Sequence, residues 1–261
     1  MLIDSHCHIF LEEFDEDREE IVRNALEVGI EQMLLPNIDS SSLNPLLKTI
    51  EQYPEICTPM LGLHPTSVKG DYVAELSRIE SVFSQCTPCA VGEIGIDLHW
   101  NRTYFPEQKD AFLAQLQWSV ELNLPVSIHI RDAFKETIDI IEQFPLKEEL
   151  RGVFHCFSGD KEDLEWVKRN PNFYIGVNGN ITYKHAPLNR EMLQGFPASR
   201  IIVETDCPYL APIPYRGKRN QPAYLLYTAN FLANLLGIEK KEDAYALFTE
   251  NTKRLFRIEE H

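Results

Sequence analysis

The sequence lacks the long hydrophobic runs of a membrane protein and the leader of a secreted one. No uninterrupted apolar stretch approaches the roughly 20 residues needed to cross a bilayer. The chain begins with a strand-like segment rather than a basic start and an apolar leader segment. Low-complexity segments, long linkers and breaks in composition are also missing. These absences predict one domain, residues 1–261, located in the cytoplasm with no membrane contact.

Cysteine is scarce and scattered along the chain. A chain of 261 residues with six cysteines can bury a core large enough to fold without disulfides, so we expect reduced thiols. Cys86 and Cys89 form a lone C-x-x-C, without the second pair or the histidines that a structural zinc site requires. Cys7, Cys156 and Cys207 are interpreted as small apolar residues at strand ends.

Basic residues are fewer than acidic ones, with 25 lysines and arginines against 40 aspartates and glutamates. The formal net charge of −15 argues against a broad surface that binds nucleic acid through many phosphates. Arg216, Lys218 and Arg219 nevertheless cluster within four residues. A local phosphate contact and a solvated basic loop are both compatible with this cluster.

Apolar runs recur at intervals of 22 to 36 residues along the whole chain. They end near His8, Pro36, His64, Glu93, His129, His155, Val177 and Glu204. Between them lie stretches with apolar residues at helical spacing, and two more helices are expected over 222–236 and 240–256. This alternation predicts an α/β fold with a parallel sheet. Eight repeats favour a TIM-type (β/α)8 barrel with an additional C-terminal helix.

Residue types that bind metals stand at the ends of these runs. The segment 2–8 starts as a strand, and its period of two sends His6 and His8 to one side. The ends of barrel strands meet at one mouth, where buried carboxylates need cations or hydrogen bonds. The candidate set is Asp4, His6, His8, Glu93, His129, His155 and Asp206.

Apart from Asp4, the set holds four histidines and two carboxylates, which is more than one tetrahedral catalytic site needs. The set therefore predicts two divalent ions sharing a bridging carboxylate, an arrangement typical of hydrolysis at phosphorus. Histidines suit Zn, Mn, Fe or Ni and carboxylates suit Mg, so the mixed ligands leave the identity of the metal open.

Seven motifs, in order along essentially the whole chain, resemble the TatD family of metal-dependent deoxyribonucleases, a branch of the amidohydrolase-like barrels. They are Asp4-Ser5-His6-Cys7-His8, Gly62-Leu63-His64-Pro65, Gly92-Glu93-Ile94-Gly95-Ile96-Asp97, Ile128-His129-Ile130-Arg131-Asp132-Ala133, Phe154-His155-Cys156-Phe157-Ser158-Gly159, Glu204-Thr205-Asp206-Cys207-Pro208-Tyr209-Leu210 and Asn251-Thr252-x-x-Leu255-Phe256. The resemblance implies a TIM-type fold, two divalent metals and DNA hydrolysis.

The resemblance also implies a role for each matched residue. His6, His8 and Asp206 would hold one metal, His129 and His155 the other, and Glu93 would bridge them. Glu204 is expected beside the site in a supporting or catalytic role. Asp4 is expected to accept a hydrogen bond from a ligand histidine and so orient it.

Substrate contacts are expected at the rim of the mouth. The residues proposed for them are His64, Arg131, Arg216, Lys218, Arg219 and Asn220. His64 has a second interpretation, as the cap of a turn before Pro65. Gln221 stands where the family has an acid and Leu98 where it has tyrosine, so both departures concern substrate recognition rather than the expected ligands.

The favoured function is hydrolysis of DNA at ends or in single strands, by a metal-bridging hydroxide with Glu93, Asp206 and Glu204 as the catalytic carboxylates. Hydrolysis of an amide, ester or lactone in a small molecule is a second possibility, because related barrels use similar metal pairs. A metal-stabilised binding protein without turnover is a third. DNA is the expected partner, and no obligate protein partner is evident.

Overall fold

Eight parallel strands form one sheet in chain order, β1 to β8, in a computed structural model that describes residues 1–258. The strands are β1 Leu2–Asp4, β2 Ile30–Pro36, β3 Cys57–Leu61, β4 Ala90–Asp97, β5 Val126–Arg131, β6 Gly152–Phe154, β7 Phe173–Val177 and β8 Ile201–Val203. Most of their residues are buried, as expected for strands covered on both faces.

Helices follow the strands on the outside of the sheet. They are α1 Arg18–Glu27, α2 Leu43–Gln52, α3 Tyr72–Glu80, α4 Phe105–Glu121, α5 Phe134–Gln143, α6 Lys161–Arg169, α7 Arg190–Leu193, α8 Leu225–Leu236 and α9 Lys241–Phe256. Gly29, just beyond α1, has φ +85°, the left-handed conformation that ends a helix. The stretch 189–196, one of those with apolar residues at helical spacing, forms only the single turn α7.

The barrel is nearly closed between its last and first strands. The Ser5 N–H donates to the Val203 carbonyl at 3.3 Å, and the Asp206 N–H donates to the His6 carbonyl at 2.8 Å. Inward residues from seven strands form an apolar cluster with Leu255 and Phe256 of α9. A larger cluster joins the outer faces of the strands to the helices. The structure therefore confirms the TIM-type barrel with an additional C-terminal helix.

Two strands extend beyond their predicted ends. β4 continues four residues past Glu93 because Ile94 to Asp97 pair with Ile128 to Arg131 of β5. The two strands approach so closely at Gly95 (φ +141°) that a Cβ there would overlap the His129 carbonyl.

Within residues 1–258 no helix is long and apolar enough to cross a membrane. The six cysteines are all unpaired thiols.

Candidate metal site

The six residues predicted to bind metal come together at the mouth formed by the C-terminal ends of the strands. His6 and His8 follow β1, Glu93 and His129 lie in β4 and β5, and His155 and Asp206 follow β6 and β8. The hydrogen bond between the Asp206 N–H and the His6 carbonyl joins the two loops that meet across the barrel closure.

Glu93 lies between two groups of histidines, and each of its carboxylate oxygens faces one group. Oε2 is 3.1 Å from Nε2 of His6 and 3.8 Å from Nε2 of His8. Oε1 is 2.9 Å from Nδ1 of His129 and 3.8 Å from Nε2 of His155. Only 2% of Glu93 is exposed. The two oxygens of this buried carboxylate thus face different histidine nitrogens.

Asp206 completes the first group. Its Oδ1 lies 3.5 Å from Nε2 of His8, 3.7 Å from Nε2 of His155 and 4.0 Å from Nε2 of His6. The rings of His6 and His155 stack with their centroids 3.5 Å apart. Several lone-pair donors therefore surround a small volume in which solvent is nearly excluded.

The charges in this cluster fit a bound cation. Among the described residues, no lysine or arginine lies within 4.0 Å of the carboxylates of Glu93 or Asp206, whose ion-pair partners are all histidines. Neutral imidazoles would leave these carboxylates uncompensated, which is costly in a buried site. Histidine nitrogens and carboxylate oxygens are also the donor set of hydrolytic metal centres. The residues present therefore fit divalent metal.

The pKa values of the clustered residues reflect how close their charged groups lie to one another. Burial raises the pKa of Glu93, but the charges of His64, His6 and His155 outweigh it and hold the pKa well below its ordinary value. Burial lowers the pKa of His155, but the carboxylates of Glu204, Asp206 and Glu93 raise it to about 10. A metal ion entering this site would displace that proton.

Carboxylates outside the cluster hold two of the histidines in place. Oε1 of Glu204 is 2.9 Å from Nδ1 of His155, and Oδ2 of Asp97 is 3.0 Å from Nε2 of His129. The carboxylate of Glu204 occupies the space over Gly176, where any Cβ would overlap it. Each histidine thus keeps its other nitrogen for the centre of the mouth.

Asp4 accepts a hydrogen bond from the backbone N–H of His6 rather than from a histidine ring. Its carboxylate accepts from the Thr205 N–H at 2.8 Å, from the Thr205 hydroxyl at 2.5 Å and from the His6 N–H at 3.4 Å. It therefore ties the backbone of the β8 loop to that of the β1 loop. Burial raises the pKa of Asp4 to about 7, against the effect of these hydrogen bonds.

A cavity of about 600 Å³ opens above the cluster and is lined by His64 and Arg131, two of the predicted substrate contacts. Both interpretations of His64 find support in its geometry. Its Nδ1 accepts from the Thr66 N–H at 3.1 Å, as in a capped turn, and its Nε2 is 3.3 Å from Oε1 of Glu93. His64 therefore faces the cluster as well as capping its turn.

The basic loop contributes none of the residues that line the cavity. Arg219 pairs with the Asp17 carboxylate and the Glu13 carbonyl at the start of α1. Asn220 is buried and donates to the carbonyls of Thr205 and Tyr209. Neither lines the cavity, so we assign both to anchoring the loop.

The charged groups of the other two basic residues in the loop lie over aromatic rings. The Arg216 guanidinium lies 4.4 Å from the centre of the Tyr183 ring, and the Lys218 ammonium lies 5.8 Å from that of Tyr215. Within residues 1–258, neither Arg216 nor Lys218 forms an ion pair.

Three residues at the mouth were missed by sequence reasoning. Asp97 supports His129, while Trp100 and Tyr209 line the cavity. A signal for the aspartate existed, since it ends the same apolar run as Glu93. The two aromatic residues stand in loops, where no periodicity marks them.

Sequence comparisons show which known proteins this chain is similar to. A family model described as TatD related DNase matches residues 3–257. The uncharacterized metal-dependent hydrolase YabD of Bacillus subtilis is 36% identical over 259 residues, which are 99% of this chain and 100% of that protein. The 3'-5' ssDNA/RNA exonuclease TatD of Escherichia fergusonii is 34% identical over 98% of this chain and 99% of its own length.

A similar solved structure extends the comparison to three dimensions. YJJV, a TatD homolog from Escherichia coli K12, superposes with a TM-score of 0.89 at 26% identity, covering 99% of this chain and 98% of that one. With a full-length family match, close relatives and the same barrel, the chain belongs to the TatD family of metal-dependent hydrolases.

Proposed function

We propose that this enzyme hydrolyses phosphodiester bonds at the ends of single-stranded nucleic acid, using two divalent ions at the barrel mouth. The observation that carries the proposal is the position of Glu93, whose two oxygens face separate groups of histidines at 3.1 and 2.9 Å. A shared carboxylate fits the two-ion arrangement that acts at phosphorus.

His6, His8, Asp206 and Oε2 of Glu93 would hold one ion. His129, His155 and Oε1 of Glu93 would hold the other. Bound there, the pair would lower the pKa of water and polarise a phosphoryl oxygen. The mixture of imidazole and carboxylate ligands suits Zn, Mn, Fe, Ni or Mg, and we leave the choice to metal titration.

The remaining residues have positioning and proton-handling roles in this proposal. Glu204 and Asp97 fix the rings of His155 and His129 through contacts of 2.9 and 3.0 Å. Asp206, 14% exposed in its side chain, stands at the open side of the cluster and can accept a proton from an attacking water. Arg131 on the cavity wall offers a charge-assisted contact to a substrate phosphate.

Nucleic acid is the proposed substrate because the Escherichia fergusonii relative is named as a single-strand DNA and RNA exonuclease. A net charge of −15 does not oppose this, since two divalent ions would offset the carboxylates at the mouth and Arg131 adds a positive charge beside them. Hydrolysis of a small amide, ester or lactone is the competing substrate assignment, and the test below includes it.

The test is digestion by protein stripped of metal and reloaded with one divalent ion at a time. Single-stranded DNA labelled at its 5′ end, the same label in a blunt duplex, and a panel of carboxylic esters and lactones serve as substrates. We expect stepwise shortening of the single strand, and no turnover after chelation. Fast turnover of a carbonyl substrate with intact DNA would contradict the proposal.

A further inference from the structure

Trp100 is an exposed tryptophan on the wall of the catalytic cavity. Its side chain follows β4, lines the cavity and is 69% exposed. The Arg131 guanidinium lies 5.1 Å from the centre of its ring, and the His99 ring meets it edge-on at 5.1 Å. These contacts orient the indole but leave most of its surface open to solvent. Packing therefore does not account for a tryptophan here.

The backbone of Trp100 is held by the same carboxylate that holds a proposed metal ligand. The Trp100 N–H donates to Oδ1 of Asp97 at 3.1 Å, and the His99 N–H donates to it at 3.0 Å. The other oxygen, Oδ2, is 3.0 Å from Nε2 of His129. The buried Asp97 side chain thus contacts both the Trp100 backbone and the His129 ring.

A second exposed aromatic residue stands across the mouth. Tyr209, 52% exposed, follows β8 and also lines the cavity. Its N–H donates to the Asp206 carbonyl at 2.9 Å, and its ring lies 6.5 Å from that of His8. Because β4 and β8 are four strands apart in a barrel of eight, Trp100 and Tyr209 lie on opposite sides of the barrel mouth.

We propose that Trp100 is the stacking platform for a nucleobase next to the scissile phosphate, so that the enzyme selects unpaired nucleotides. This inference rests on the proposed function. Nucleobases stack on exposed aromatic faces whatever their sequence. A base inside a duplex is already stacked and paired, and it must leave both partners to reach the indole. Arg131, beside the ring, matches the phosphate that accompanies such a base.

The test compares two single strands that differ only in the bases at the cleaved end. One strand is natural, and the other has abasic tetrahydrofuran sites at its last two nucleotides. For the wild type we expect a lower KM with the natural strand, by roughly 5–100-fold, the range that stacking one base supplies. Trp100→Ala should remove most of this difference, and Trp100→Phe should retain much of it.

Phe231→Ala is the matched control. Phe231 is 38% exposed on α8 and does not line the cavity, so its removal should leave the KM ratio of the wild type. If the wild type does not distinguish the two strands, or if Trp100→Ala raises KM equally for both, no base stacks on Trp100. If the wild type cleaves neither strand, the proposed function itself fails, which is a separate result.

Discussion

Replacing the carboxylate of Glu93 by an amide is the sharpest perturbation of this site. Glu93→Gln keeps the shape of the side chain but removes its charge and one of its two acceptor oxygens. The native oxygens lie 3.1 Å from His6 and 2.9 Å from His129, so the amide NH2 must face one of these groups. Only one proposed ion site then keeps an oxygen ligand from this residue.

We expect kcat/KM for single-stranded DNA to fall by at least about 10³-fold, or roughly 4 kcal/mol of transition-state stabilisation. The measurement is initial rate with end-labelled DNA, beside metal content by mass spectrometry. Bound metal should fall from two ions per chain to one. Stabilisation by metal, about 2.7 kcal/mol for one site at 100 times its Kd, should shrink accordingly in thermal melts.

Glu75→Gln is the control for this experiment. Glu75 is a partly buried glutamate that pairs with Arg78 and Ser40, and it does not line the cavity. Glu93→Ala should also lose nearly all hydrolysis while the barrel remains folded by circular dichroism. Wild-type turnover and two bound ions in Glu93→Gln would refute the bridging role.

Three further predictions concern the surroundings of the cluster. Asp4→Asn should weaken metal affinity by roughly 10–100-fold in a calorimetric titration, because the loop contacts of Asp4 position His6; unchanged affinity would contradict this. Neutralising Arg216 and Lys218 should raise KM and reduce the slope of log affinity against log salt by about 0.7 for each lost contact with a single strand. Arg219→Gln should instead lower the melting temperature and leave KM unchanged. A raised KM with an unchanged melting temperature in Arg219→Gln would mean that Arg219 binds substrate. Burial disfavours the charged form of His155, but the neighbouring carboxylates favour it and raise its pKa to about 10. Metal loading at neutral pH should therefore release about one proton, and metal affinity should rise with pH. Binding heats that do not differ between buffers of different ionisation enthalpy would contradict that assignment.

The barrel and the cluster could be predicted because both follow from local features of the chain. Strands such as Gly152–Phe154 end one residue before a histidine, and topology then carries each such end to the same mouth. The place of each strand around the barrel did not need to be known.

Contacts between distant residues could not be predicted in the same way. The partner of Asp4 is Thr205, 201 residues away, and the partner of Arg219 is Asp17, 202 residues away. Nothing in the sequence pairs Asp4 with Thr205 or Arg219 with Asp17. Each carboxylate or guanidinium takes the partner that the closed barrel brings near it, which composition and spacing do not reveal.

The central claim is that two ions share the Glu93 carboxylate at the barrel mouth. Crystals grown with Mn²⁺ and measured at a wavelength where manganese scatters anomalously test it most directly. We expect two anomalous peaks about 3.5–4 Å apart, one beside His6 and His8 and the other beside His129 and His155, with Glu93 between them. A single peak, or peaks that Glu93 does not touch, would contradict it.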